Sequence, residues 1–437
     1  MRLRTSAAAK PEDAQAQEAP PRLRVSQEGY FQRVMLLLPP SIIPQHRSRW
    51  MYKTVRPELA GRLNMNLDEL QNAYEAVLDD WTAGAEADGQ IRLYSASPEM
   101  VDERLGIGIG VRNPADGAKS IGIQIRCRRF ADLSDERRLV RLQGAVDRAE
   151  KQVLALGLPA HVIDVISARF PLISRIRRGH GGIFNQFRTR CRPLEIGASI
   201  GRADGMTGTL GCFVKYQTSG PNSTVDRGLL SCSHILARSY ESSADRRGKE
   251  GDAVYQPREP RTNPVATQEV GNLTQRFSIL SPDANNFHDV AVAKLTTEDR
   301  SKYSNILAPG VRECYVSGSR LLPPGDGTVE PLMSVGKLGR STGFTEGVVT
   351  GIRVTQRISS QFGGTFPFAD MIEIAAKPDG QELVFSDSGD SGAVVFTLPD
   401  CRAIGVLVAG GENEAGEHRT YACDLRAALD DLEIELV

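Results

Sequence analysis

The spacing of apolar residues changes twice along the chain. Residues 1–28, "MRLRTSAAAKPEDAQAQEAPPRLRVSQE", hold almost nothing to bury and are expected to form a disordered tail. A helical segment is expected over 29–85. There Leu67, Leu70, Tyr74, Leu78 and Trp81 recur at three- and four-residue steps, the period of a helix with one apolar face, and Asn66 suits its N-cap. Over 86–172 the pattern alternates, turns helical and alternates again. "LGIGIGVRN" and "SIGIQIRCRRF" read as strands joined by the hairpin loop "PADGAK", "DERRLVRLQGAVDRAEKQVLAL" as a helix, and "HVIDVISARF" as a further strand. This ββαβ order predicts a small α/β module. Gly106, Gly108 and Gly110 lack the following helix of a phosphate loop, so close strand packing is the expected reason for them.

From about residue 195 the helical period disappears. Short β-like runs follow, separated by Gly, Pro, Asn and Ser: "TLGCFVKYQ", "RGLLSCSHIL", "AVYQP", "HDVAVAKL", "RECYVSGS", "LMSVGKLG", "GVVTGIRVTQ", "MIEIAA", "GAVVFT", "AIGVLVAGG" and "RTYAC". Such a run of strands predicts an all-β domain of barrels or sandwiches. "LRAALDDLEIELV" is expected to close the chain as a helix.

Composition changes this picture little. At 437 residues the chain is longer than one ordinary core, so it is read as multidomain. A net charge of −1 points to neither nucleic acid nor membrane as a partner. "VMLLLPPSII" is too short and too Pro-interrupted to span a bilayer, and it lies too far in for a signal peptide. A cytoplasmic location is expected. The seven cysteines show no metal-type spacing, and His46, His161, His180 and His418 do not cluster, so neither a metal nor a cofactor is expected. Residues 173–194 hold six arginines without an acidic residue, with Phe184 and Phe187 among them. They read as a solvated Arg-rich linker, with docking of an acidic partner or nucleic acid as the sharper alternative.

Three polar residues stand where apolar strands end. His234 follows "GLLSCS", Asp289 opens "DVAVAKL", and Ser391 sits in "GDSGAVVF". A nucleophile, a base and the base's orienter on separate strand ends are what serine acyl transfer needs. The plainer alternatives are a buried core histidine and a strand-capping aspartate. His288, beside Asp289, is expected to face the other way, because neighbouring strand residues alternate. In "FSDSGDSGAVVF" two serines compete. Ser391 has glycine two positions before and one after, then a strand, whereas Ser388 has Ser386 at the first of those positions and a turn beyond.

"GTLGCFV" (208–214), "LLSCSHILA" (229–237), "HDVAVAKL" (288–295), "GRSTGFTEGVV" (339–349), "GDSGAVVF" (389–396) and "GVLVAGG" (405–411) occur in that order. With them, residues 197–437 resemble a trypsin-like (chymotrypsin-fold) serine peptidase of bacterial type, in a domain expected over 195–437. The resemblance implies a C-terminal all-β double β-barrel, with barrels about 195–308 and 309–437 and the site in the cleft between them. It implies His234 as base, Asp289 as its orienter, Ser391 as nucleophile, and the N–H groups of Gly389 and Ser391 as oxyanion hole. Phe385, Asp387, Ser388, Ala409 and Gly410 would border the substrate pocket. Cys212 and Cys232 would lie close together, although a disulfide there is not expected in the cytosol.

The chain departs from the family pattern at "EIGASIGRADG", where zymogens carry an Ile-Val-Gly-Gly-like start whose freed amine pairs with the aspartate before the serine. A conformational signal therefore competes with cleavage as the means of activation, and the partner of Asp390 is open. The expected substrate is a protein or peptide, with the α/β module regulating or receiving an activating protein partner. A catalytically silent binding protein of peptidase fold and a protease effector of bacterial defence are the alternatives.

Overall fold

The computed structural model describes residues 67–82, 105–112, 120–127, 136–159, 162–167, 172–173, 185–218, 223–241, 243–258, 263–296, 305, 329–360, 364–377, 384–412 and 417–437. The tail at 1–28, most of the 29–85 segment, the 113–119 loop, residues 174–184 of the arginine-rich stretch, the strand expected at 312–319 and the division expected near 308 lie outside the described residues.

The described chain is mostly β, in two sheets. The first has eight strands: β5 (Ser199–Arg202), β6 (Thr207–Thr209), β7 (Cys212–Gln217), β8 (Val225–Ser231), β9 (Ala253–Tyr255), β10 (Glu269–Phe277), β11 (Ala291–Leu295) and β18 (Ile434–Leu436), in the order β18-β7-β8-β11-β10-β9-β5-β6. β10, "EVGNLTQRF", carries no evident sequence signal because only Val270, Gly271 and Leu273 of its nine residues are buried. The C-terminal helix, Leu425–Asp431, is shorter than its sequence suggests. Glu433 turns the chain at φ 51°, and Ile434–Leu436 leaves the helix to pair with Val214–Tyr216 of β7. Backbone pairing along an open strand edge outweighs the helical propensity of those last residues. Phe187 and Leu194, within the stretch read as a linker, are buried in the apolar cluster of this sheet.

The second sheet contains β12 (Ser334–Gly339), β13 (Gly343–Ser360), β14 (Thr365–Ala376), β15 (Val394–Thr397), β16 (Ala403–Glu412) and β17 (His418–Asp424). β12 pairs with both β15 and β13, so these strands close on themselves. β13, paired with β14 along one edge, is long enough to serve both β12 and β1 along the other. Its early residues pair with β12, while Gly351–Thr355 pair with β1 (Leu105–Arg112), which continues the sheet through β2 (Ser120–Cys127) to β3 (Ile163–Ser167). A two-residue β4 (Leu172–Ile173) lies beside β13 and β16. The strands of the α/β module thus share one sheet with the second barrel.

Two helices cover the apolar face of that extension: α1 (Leu67–Thr82) and α2 (Glu136–Ala155). Leu70, Tyr74 and Leu78 of α1 are buried with Ile107, Ile109, Ile123 and Ile125, as the period of the helix and the alternation of the strands require. Tyr74 also donates to the Arg353 carbonyl at 2.9 Å, and Arg353 lies 5.0 Å over its ring while pairing with Glu75 and Asp370. This fastens α1 to the bend in β13.

Candidate active site

Antiparallel pairing brings the first two candidate residues together. Ala291 of β11 stands opposite Ser231 of β8, so the residues just before β11 lie beside those just after β8. There a one-turn helix, α3 (Ser233–Leu236), carries His234. Asp289 uses both carboxylate oxygens on that residue: Oδ1 accepts from the His234 backbone N–H at 2.9 Å, and Oδ2 is hydrogen-bonded to Nδ1 of the ring. Both side chains are fully buried. With Nδ1–H given to the carboxylate, Nε2 is the free lone pair of the imidazole, and no hydrogen bond reaches it. His288 points elsewhere. Its ring bonds Ser278 Oγ at 2.6 Å and Asp431 Oδ2 at 2.8 Å.

Ser391 is brought to the same place by the turn before β15. Its carbonyl accepts from Thr209 N–H at 2.9 Å, and the next N–H, of Gly392, donates to Leu407 O at 2.8 Å. Cys232, two residues before His234, donates its thiol to that same Leu407 carbonyl. Gly392 has φ +93°, and a Cβ there would lie 2.1 Å from Ser231 Oγ, so only glycine lets the serine turn lie against the end of β8. The Ser391 side chain is nearly buried, and its hydroxyl donates to the Val408 carbonyl at 3.3 Å, with no bond to His234. Gly389 has φ +98°, and a Cβ on it would strike Ser341 Oγ and Arg340 Nη1. No hydrogen bond of the described residues takes up the N–H of Gly389 or of Ser391.

Asp390 has a partner that is absent from the sequence reading. Lys337 of β12 places its ammonium 3.3 Å from Asp390 Oδ2, both side chains having no exposure. The carboxylate also accepts from Ser341 N–H (2.8 Å), Thr342 N–H (3.3 Å), Thr342 Oγ1 (2.6 Å) and Asp387 N–H (3.0 Å). Lys337 in turn donates to Thr342 Oγ1 and to Gly343 O. Every group a charged Asp390 needs thus comes from the β12–β13 hairpin and its own turn. The signal was a lysine inside the otherwise apolar "LMSVGKLG".

The pocket candidates divide. Asp387 and Ser388 are half-buried members of the same turn, where the Ser388 carbonyl accepts from Ser341 Oγ at 2.6 Å. Ala409 and Gly410 are on β16, opposite Tyr421 and Thr420 of β17. Phe385 is a correction: with no exposure it has no surface to offer a substrate, and its ring packs in the core beneath Gly347 and 5.8 Å from Lys337 Nζ. Its neighbour Ser386 is also buried; its hydroxyl bonds Thr420 Oγ1 at 2.6 Å and lies 3.3 Å from where a Cβ on Gly410 would stand.

Cys212 and Cys232 are free, buried thiols. Cys232, His234 and Asp289 offer donor atoms within 4.8 Å of one another, the spacing of a metal site. A metal would have to break the His234–Asp289 bond and take a thiolate. Burial first, and then the Asp289 carboxylate, push the Cys232 thiol up, away from that form. The donor set fits a proton relay better than a metal.

No protein-family model matches the chain, and no curated protein matches it. Among solved structures it is similar to Thermobifida fusca protease A (15% identity, covering 56% of this chain and 98% of that one, TM-score 0.35). It is also similar to Nocardiopsis protease (16%, 56% and 98%, TM-score 0.36) and to Cellulomonas bogoriensis chymotrypsin (14%, 56% and 98%, TM-score 0.35). At such values the likeness carries no conclusion about chemistry, which rests on the residues above.

Proposed function

We propose that this chain is a chymotrypsin-fold serine endopeptidase, read as cytoplasmic from its sequence, with its N-terminal module regulating access or receiving a partner. The observation that carries the reading is the buried His234–Asp289 pair, which leaves Nε2 unbonded beside the turn that presents Ser391. In the proposed reaction the Ser391 hydroxyl turns from Val408 O onto Nε2 and loses its proton there as Oγ attacks a peptide carbonyl. His234 then gives that proton to the leaving amine, and water hydrolyses the acyl-enzyme by the same relay. Asp289 keeps the proton on Nδ1 and stabilises the imidazolium. The N–H groups of Gly389 and Ser391 are free to take the oxyanion, and each such donor is worth about 100- to 1,000-fold in rate.

The test is reaction with a fluorophosphonate, read by mass spectrometry, together with digestion of a peptide library. Label on Ser391, and cleavage that falls on the order of 10⁶-fold in Ser391→Ala, is the expected result. Label on Ser388, or none on any serine while the chain is folded, overturns the reading in favour of a silent binding protein.

A further inference from the structure

Gly108 and Gly110 of β1 lie along the path of a buried charge, while Gly106 makes room for the β13 backbone at Thr355. Arg126 on β2 is fully buried, yet its partner, Glu373, lies on β14, with β1 and β13 between them. The side chain crosses two strands where neither carries a side chain in the way. A Cβ on Gly108 would come within 3.5 Å of Arg126 Nε, and one on Gly351 within 3.1 Å of Nη2. Gly110 makes the same room for Gln124, whose Oε1 accepts from Arg126 Nη2 at 2.8 Å. The guanidinium then meets Glu373 Oε2 at 2.5 Å. Across the sheet Gly110, Gly351, Glu373 and Tyr421 stand opposite one another on β1, β13, β14 and β17.

Glu373 passes this contact onward. Its Oε2 also accepts from Tyr421 Oη at 2.8 Å, and Oε1 accepts from Thr350 Oγ1 at 2.8 Å. Tyr421 is the strand neighbour of Thr420, the residue bonded to Ser386 and opposite Gly410. Successive residues of β17 therefore face two ways: Tyr421 towards the buried charge, Thr420 towards the residues bordering the candidate pocket.

We propose that Arg126 is a positioning residue for the substrate pocket. The module's guanidinium holds the Glu373–Tyr421 pair, and that pair fixes β17 so that Thr420 and Gly410 keep their places against Ser386. The α/β module is then a part of the specificity apparatus, built into the sheet, as well as any receiver of signals. This rests on the peptidase reading of the same site.

The experiment uses the full chain as wild type, Arg126→Met, Arg126→Lys and the double variant Arg126→Met/Glu373→Met. Two quantities are read: the rate of fluorophosphonate labelling at Ser391, which needs no pocket, and kcat and KM over peptides varied at P1. For Arg126→Met, labelling within about 3-fold of wild type is expected. KM for the preferred P1 residue should rise about 10- to 100-fold with the P1 ranking flattened, the cost of a wall displaced by about an ångström. Arg126→Lys should recover part of the preference. The double variant removes the unpaired buried carboxylate and carries the same readouts if Arg126→Met alone does not fold. Its flattened ranking would show that position, not stability, is at stake.

An unchanged P1 ranking overturns the inference, as does a uniform fall of labelling and kcat at constant KM. Absence of label on folded wild type removes the peptidase reading itself, before any variant is compared.

Discussion

Two buried ion pairs, Lys337–Asp390 and Arg126–Glu373, hold this chain together by opposite means. Asp390 is satisfied locally: five contacts from Lys337, Ser341, Thr342 and Asp387 converge on it, all from one hairpin and one turn. Glu373 is satisfied at long range, by an arginine 247 residues earlier in the chain and a tyrosine 48 residues later. The first pair braces the turn that ends in Ser391, and the second joins the module to the strand behind the candidate pocket. A buried pair contributes little net stability over an apolar one, but removing one member leaves a charge stranded. Local satisfaction therefore makes a rigid turn, and long-range satisfaction makes two regions depend on each other.

The sharpest break in that comparison is to delete each cation. Lys337→Met and Arg126→Met should each lose about 3–5 kcal/mol in urea unfolding, because each strands a buried carboxylate. Their effects on Ser391 should differ. Lys337→Met should slow phosphonate labelling about 100-fold by loosening the turn that presents Ser391 and the Gly389 N–H, while Arg126→Met leaves it nearly unchanged. Equal slowing in both variants would mean that the two pairs form one network, and the distinction would fall.

Acid should separate the pairs next. Burial works most strongly, to raise the Glu373 carboxyl, but Arg126, Arg419 and Tyr421 together outweigh it and bring the group from its ordinary 4.5 down to about 2. A carboxylate lowered on folding contributes stability that is complete above its unfolded value and is lost as pH falls towards its folded one. Unfolding free energy should therefore drop between about pH 4.5 and about pH 2, and Glu373→Gln should flatten that slope. A slope unchanged in Glu373→Gln would show that other carboxylates set the acid limit.

What could be read from the sequence follows the same division between near and far. His234, Asp289 and Ser391 stand out because each ends an apolar run, and strand pairing then brings His234 and Asp289 into contact. The helix period of Leu70, Tyr74 and Leu78 is likewise a local signal. Arg126 alternates with isoleucines as any solvent-facing strand residue would, and nothing near it names Glu373. Lys337 stands out as the one charge in "LMSVGKLG", but nothing near it in sequence names Asp390 as its partner. β10 was hidden by its polar residues, and β18 by a helical sequence that β7 captures by backbone pairing. Gly108 and Gly110 of β1 were visible, but the side chain they admit comes from the next strand.

The mildest test compares the glycines that make room for each pair. On β12 a Cβ added to Gly339 would lie 2.3 Å from Asp390 Oδ1 and 2.5 Å from Cγ. That carboxylate is held from several sides and cannot retreat. On β13 a Cβ added to Gly351 would meet Arg126 Nη2 at 3.1 Å, Val354 Cγ2 at 3.2 Å and Glu373 Cβ at 3.4 Å, distances that a shift of a few tenths of an ångström relieves. Gly339→Ala should therefore cost about 1–3 kcal/mol in urea unfolding and slow labelling of Ser391, as overpacking against a fixed group does. Gly351→Ala should cost at most about 1 kcal/mol, with its trace, if any, in the P1 ranking and not in the labelling rate. A larger loss for Gly351→Ala than for Gly339→Ala would place the rigid pair in the module sheet and the adaptable one beside Ser391, reversing the comparison.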